Sequence, residues 1–138
     1  RSKRIINSLK IRETSRKMAE RSIVLLKNDN HILPFNNEVR SIALIGHLAK
    51  SQSDMAGAWA GNVNRSKIVT LYEALRNNNI NIFYSEGYDK TQLQTSLQAA
   101  QKADAVIVCI GELAEQSGES KSKTNIEIPE EQQQLIKE

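Results

Sequence analysis

Three glutamates follow one another closely in the stretch 111–125, directly after an apolar run. They are Glu112, Glu115 and Glu119, and the run before them, residues 105–110, is rich in β-branched side chains. Such a run is typical of a strand covered on both faces, as in a parallel sheet. Ligands of open α/β sheets bind beyond the carboxyl ends of the strands, and carboxyl groups can give and take protons. The loop is therefore in the right place for chemistry, unless the three side chains are simply solvated.

A second apolar run, residues 41–46, also ends in a glycine and passes into a polar loop. That loop, residues 47–67, contains Asp54 and Trp59 among glycines and alanines. At about twenty residues it is long for a compact domain, and such loops tend to be functional or disordered. Trp59 is either a docking or stacking residue or a side chain that fills the edge of the core.

Strands and helices alternate along the chain. We expect strands at 41–46, 80–84 and 105–110. Helices are expected at 70–76, 91–103 and 130–137, the first of them capped and the second capped by Thr91. This order predicts an α/β fold, a three-layer α/β/α sandwich with a mainly parallel, flavodoxin-like sheet. With the first strand central, the loops after Gly46 and Gly111 meet where the strand order reverses.

The first residues of the chain carry much of its positive charge. Residues 1–12 predict a basic linker or a short helix, and Thr14 or Ser15 can cap a helix that becomes extended near Ser22. Because the chain starts at Arg1 rather than Met, we expect a processed or excised piece, and the missing signal peptide leaves the compartment open.

Composition and motif searches weigh against several classes of function. The 138 residues suit one domain. Aromatic residues make up only 4%, which argues against nucleic-acid binding. No segment approaches the roughly 18 apolar residues of a membrane span. His31 and His47 lack the spacing of metal ligands, Cys109 is the only cysteine, and the glycine fingerprint of dinucleotide binding is absent. We therefore expect no nucleic acid, membrane, metal or cofactor as a partner.

Separated motifs occur in a defined order along most of the chain. They are residues 16–28, Leu33-Pro34, residues 42–46, Asp54-Met55 with Gly57 and Trp59, Gly111-Glu112, Ser117-Gly118-Glu119, and residues 125–129. In this order they resemble family 3 glycoside hydrolases, the β-glucosidase-like enzymes. The resemblance is to the second, C-terminal domain of that family and covers residues 13–138.

The resemblance implies a fragment of a retaining enzyme that acts on a β-linked oligosaccharide or glycoside. In that family a (β/α)8 barrel domain of the same full-length chain carries a nucleophilic Asp, and the second domain lends it the general acid/base. Glu119 matches the acid/base position. Asp54, Trp59, Glu112 and Lys123 are expected to bind substrate or orient the loop, whereas Glu115 is expected to be solvated.

This chain departs from the family pattern at two positions. Lys123 stands where Arg is usual, and Asn125 stands where Asp is usual. Lys cannot make the bidentate contact that Arg makes. The family's domain usually continues for several strands, so the resemblance implies a truncated sheet. An open edge at residues 105–110 predicts self-association. For a bacterial source, a periplasmic or secreted location is expected.

Two other functions fit parts of the pattern. The first is a stand-alone α/β module that binds a small ligand or a protein at the switch point without catalysis. The second is a nucleic-acid binder, which only the pI of about 9.1 suggests.

Overall fold

The computed structural model describes residues 9–87 and 89–138, and the chain divides into two compact units, residues 1–36 and 37–138. In the described part of the first unit, helix α1 (Leu9–Ser22) precedes an irregular, exposed apolar stretch. The predicted cap at Thr14 or Ser15 is wrong, since α1 already includes Leu9. The Thr14 hydroxyl instead donates to the Lys10 carbonyl at 2.9 Å. The expected linker or short helix at residues 1–12 is helical from Leu9, and residues 1–8 lie outside the described residues.

Three parallel strands form the sheet of the second unit. They are β1 (Ser41–Ile45), β2 (Asn81–Ser85) and β3 (Ala105–Val108), in the order β2-β1-β3. Leu44 of β1 lies opposite Tyr84 of β2 and Ile107 of β3. Four successive β1 side chains are almost fully buried, because this strand is covered on both faces and both edges. The predicted strands, their parallel direction and the central first strand are confirmed.

Four helices connect or follow the strands. They are α2 (Gln52–Ala56), α3 (Leu71–Arg76), α4 (Lys90–Lys102) and α5 (Glu130–Lys137). A capping box between Thr70 and Glu73 begins α3, where the sequence predicts a capped helix. The predicted cap of α4 at Thr91 is wrong, because the Asp89 carboxylate accepts from the backbone N–H groups of Thr91 and Gln92, both at 2.8 Å. Within residues 9–87 and 89–138, no helix combines the length and apolar character needed to span a bilayer.

Helices cover both faces of the sheet, which confirms the three-layer α/β/α architecture. On one face, Ala43 and Ile45 form a core cluster with Ala99 of α4 and Leu135 of α5. On the other face, the Tyr72 ring of α3 meets the Tyr84 ring edge-on, with ring centroids 5.7 Å apart. The sheet is therefore held from both sides, and its carboxyl edge is free to carry loops.

Candidate active site

The loops after β1 and β3 leave the sheet side by side, because these strands are neighbours. Both leave through a glycine with positive φ, Gly46 at 111° and Gly111 at 153°. A side chain at Gly111 would come within 3.3 Å of the Leu48 side chain of the other loop. The two loops therefore run in close contact from their first residues, as predicted for the switch point.

Asp54 joins the two loops directly. Its Oδ1 accepts from the Ala114 backbone N–H at 2.8 Å, and its Oδ2 accepts from the Ser51 hydroxyl. Burial would raise the pKa of Asp54, but these hydrogen bonds and nearby His47 outweigh it and hold the pKa below its usual value. The Asp54 side chain is only 14% exposed and both of its oxygens are occupied, so it links α2 to the loop after β3.

Gln132 holds the loop after β3 at its root. Its Oε1 accepts from the Gly111 N–H and its Nε2 donates to the Gly111 carbonyl, both at 2.8 Å. Gln132 is 5% exposed and lies on α5 one turn before the core residue Leu135. Sequence reasoning missed it, because a neutral amide on a helix gives no signal for chemistry. Its spacing of three residues from an apolar core position is the only signal that marks it as inward-facing.

Glu119 lies beyond these anchors, on an exposed part of the loop. A side chain at the preceding Gly118 would come 3.7 Å from the Ala58 Cβ, so this part of the loop lies beside the loop after β1. Trp59 follows Ala58 and is 74% exposed, so it does not fill the core edge. The structure thus brings the segment that carries Glu119 next to the segment that carries Trp59.

Glu112 and Lys123 form an ion pair that spans the Glu119 segment. Both side chains are 36% exposed, so solvent screens the pair and its energetic contribution is modest. The pair brings residues 112 and 123 together, so that the segment between them, which carries Glu119, forms a closed loop. Lys123, which replaces the Arg usual in the resembling family, therefore still has a carboxylate partner.

Glu115 lies on a short 3-10 turn, Ala114–Gln116, and is exposed. It lines a cavity of about 430 Å³ between the two loops, together with Asp54 and Arg65. A larger cavity, about 690 Å³, lies between the segment after Lys123 and α5. Glu119 lines neither cavity, so within the described residues its carboxyl group is not enclosed.

Metal and thiol chemistry find no support at this edge of the sheet. In the part of the chain that the structure describes, no group of three or more His, Cys, Asp or Glu side chains could hold a metal ion. Cys109 follows β3, and burial raises the pKa of its thiol. A raised pKa keeps the thiol protonated and unreactive.

The chain is similar to known proteins both in sequence and in structure. The model of the family described as "Glycosyl hydrolase family 3 C-terminal domain" matches residues 23–138. Over 155 aligned residues the chain is 32% identical to a periplasmic beta-glucosidase of Salmonella typhimurium, covering 91% of this chain and 20% of that protein.

Two solved structures share this fold. One is a beta-glucosidase from Listeria innocua in complex with glucose, with a TM-score of 0.83 and 29% identity, over 96% of this chain and 19% of that one. The other is a GH3 exo-beta-xylosidase in complex with a xylobiose aziridine activity-based probe, with a TM-score of 0.83 and 26% identity, over 93% of this chain and 17% of that one. The chain therefore spans about a fifth of the length of the proteins it matches.

Proposed function

The chain belongs to the glycosyl hydrolase family 3 C-terminal domain family, and we propose that it supplies the general acid/base, Glu119, of a retaining β-glycosidase. The family match confirms the resemblance drawn from the motifs. In the proposed enzyme, a (β/α)8 barrel domain of the same full-length chain supplies the nucleophilic carboxylate. The relatives and the solved structures named above are β-glucosidases and a β-xylosidase, so the proposed substrate is a terminal β-linked sugar.

One observation carries this proposal. Glu119 lies on an exposed segment that runs beside the segment of Ala58 and Trp59, and the root of its loop is anchored to α5 and α2. An acid/base that serves a partner domain must project from its own domain and yet be held in place. The Glu119 loop meets both requirements, whereas Glu112 is engaged with Lys123.

The proposed chemistry has two steps. Glu119, protonated, gives its proton to the leaving glycosidic oxygen while the barrel's nucleophile attacks the anomeric carbon and forms a glycosyl-enzyme. Glu119, now ionised, takes a proton from water, which attacks the same carbon and releases the sugar with retained configuration. The two carboxyl groups of a retaining enzyme lie about 5–5.5 Å apart. The exposed Glu119 reaches that environment only when a second domain covers it.

The test uses the full-length enzyme and the substitution Glu119→Gln. We expect kcat/KM on substrates with poor leaving groups to fall by about 10²–10⁴-fold, because those groups need the proton. Activated aryl β-glucosides and β-xylosides should form the glycosyl-enzyme at nearly the wild-type rate, since their leaving groups depart without help. An equal loss on good and poor leaving groups would contradict the assignment.

Glu115→Gln is the matched control, because this exposed carboxylate lies on the same loop four residues earlier. It should show no dependence on the leaving group. Testing glucosides against xylosides in the wild-type enzyme then decides between the two sugar classes.

A further inference from the structure

The loop that carries Glu119 leaves the sheet where regular strand pairing ends. The last backbone hydrogen bond between β1 and β3 joins the Cys109 N–H to the Ile45 carbonyl at 2.8 Å. Two residues later, the backbone of Gly111 is only partly exposed. A peptide group away from water needs hydrogen-bond partners, and leaving it without them is costly.

Gln132 supplies those partners in place of a neighbouring strand. A side-chain amide carries one acceptor and one donor on the same plane, as a peptide does. Gln132 presents both to Gly111, at 2.8 Å each. An uncharged amide, or a protonated carboxylic acid, can make this pair of bonds with a single residue's backbone.

The helix that carries Gln132 is itself fixed to the sheet. Leu135, one turn later, belongs to the core cluster around Ile45 and is 8% exposed. Gly87 allows this close approach, since a Cβ there would lie 3.3 Å from the Leu135 side chain. Because α5 is packed against the sheet, Gln132 holds the Gly111 backbone in a fixed position relative to the core.

A second anchor lies three residues further along the loop, where the Ala114 N–H donates to Asp54. The interval from Gly111 to Ala114 is thus fixed at both ends, by side chains of α5 and α2. Beyond it, the loop is stabilised by shorter-range bonds and by the ion pair of Glu112 with Lys123. The anchor at Gly111 is the first of the two, so it fixes the loop where it leaves the sheet.

We propose that Gln132 is a positioning residue for the acid/base: its side-chain amide, paired with the Gly111 backbone, sets where Glu119 projects. This inference rests on the proposed function of Glu119. Beyond that function, the inference states that both proton transfers by Glu119 depend on the neutral Gln132 side chain of α5. A displacement of about 1 Å at a catalytic group can cost about 10²-fold in rate.

The test is Gln132→Leu in the full-length enzyme, assayed on substrates with good and poor leaving groups. We expect kcat/KM on poor leaving groups to fall by about 10- to 100-fold, with a much smaller change on activated aryl glycosides. This difference would not arise from a loss of stability alone, which lowers the active fraction equally for every substrate. Equal losses on both substrate classes would therefore overturn the proposal.

Gln133→Leu is the matched control. Gln133 neighbours Gln132 on α5, and its amide also donates to a backbone carbonyl, that of Ile128, at 2.7 Å. That bond lies within the segment leading into α5 and does not touch Gly111. Gln133→Leu should leave the ratio of the two substrate classes unchanged. If Gln133→Leu changed this ratio as much as Gln132→Leu does, any disturbance of α5 would give the effect, and the specific role of Gln132 would be refuted.

Gln132→Glu keeps the proposal testable if the leucine variant does not fold. In its protonated form, the carboxyl at position 132 accepts from the Gly111 N–H and donates to the Gly111 carbonyl. The ionised form has no proton to donate, so its oxygen repels the carbonyl oxygen. Burial raises the pKa of the introduced carboxyl above the ordinary value of about 4.3. The charged pair of Glu112 and Lys123 is present in both proteins and cancels in the comparison.

We expect the Gln132→Glu variant to match the wild-type ratio of poor to good substrates at acidic pH and to lose it as the pH rises. The ratio is compared with that of the wild type at each pH, and a variant whose ratio keeps a constant proportion to the wild-type ratio throughout would overturn the proposal. The two proposals fail separately. If Glu119→Gln shows leaving-group dependence and neither Gln132 variant does, the acid/base assignment stands and the positioning role falls. If Glu119→Gln shows none, the proposed function itself is wrong.

Discussion

The fold leaves no room for a side chain at Gly87, and Gly87→Ala tests the packing of α5 against the sheet. A Cβ at this residue would lie 2.6 Å from the Cγ2 methyl group of Ile45 and 3.3 Å from the Cδ2 of Leu135. Ile45 is β-branched and 3% exposed, so its methyl group has little room to move. The glycine also has φ of +81°, which disfavours residues with a side chain.

The expected cost has two parts. The left-handed backbone conformation costs a residue with a Cβ about 1–2 kcal/mol. Forcing an extra methyl group into a packed core typically costs about 1–3 kcal/mol. We therefore expect Gly87→Ala to lower the free energy of unfolding by about 2–5 kcal/mol, a large share of the 5–15 kcal/mol that domains typically have.

Gly61→Ala is the matched control. Gly61 also has a positive φ, +58°, but a Cβ there would meet nothing within 4 Å. Its substitution should show the backbone cost alone, about 1–2 kcal/mol. Urea denaturation followed by circular dichroism measures both variants, provided that their m-values agree. If the two variants lose the same stability, the inferred contact among Gly87, Ile45 and Leu135 is absent, and the account of how α5 is fixed is wrong.

Three further predictions concern stability and association. The Asp104 carboxylate accepts from the Ser41 hydroxyl at 2.7 Å and from nearby backbone N–H groups, and these hydrogen bonds hold its pKa below the usual value. The ionised carboxylate should therefore stabilise the fold above pH of about 4, and this contribution should be lost as the pH falls through the lowered pKa. Asp104→Asn should flatten the acid side of the stability profile, and an unchanged profile would contradict this. Lys50→Met should cost about 0.5–1 kcal/mol, because the ammonium lies 3.5 Å from the Tyr84 ring centroid; no loss in thermal denaturation would refute the contact. The isolated 138-residue chain should self-associate through β3, where Val106 is 45% exposed, and a monodisperse monomer by light scattering at high concentration would contradict it.

Much of the fold could be predicted because its signals are local. The apolar runs at β1 and β3 mark buried parallel strands, and Thr70 with Glu73 marks the start of α3. The ends of other helices were less predictable. Asp89 caps α4 two residues before the predicted Thr91, since both side chains can accept backbone hydrogen bonds and only the path of the chain decides between them.

The candidate site was predictable only in its charged residues. Asp54 and Glu119 stand out as carboxylates in loops that leave buried strands, and the structure brings their loops together. Gln132 could not be found in this way, because its importance lies in a contact with Gly111, 21 residues earlier in the chain. A neutral residue whose role depends on where another element packs leaves no mark on local sequence pattern.

The central claim, that Glu119 is the acid/base, is tested most directly by rescue with azide. In the full-length Glu119→Gln enzyme, an activated aryl β-glycoside should form the glycosyl-enzyme and then stall, because no base activates water. Azide needs no base, so adding it should restore turnover and yield the β-glycosyl azide, which mass spectrometry and NMR identify. Glu115→Gln should give no such product. Absence of the β-glycosyl azide with Glu119→Gln, or its formation with Glu115→Gln instead, would contradict the account.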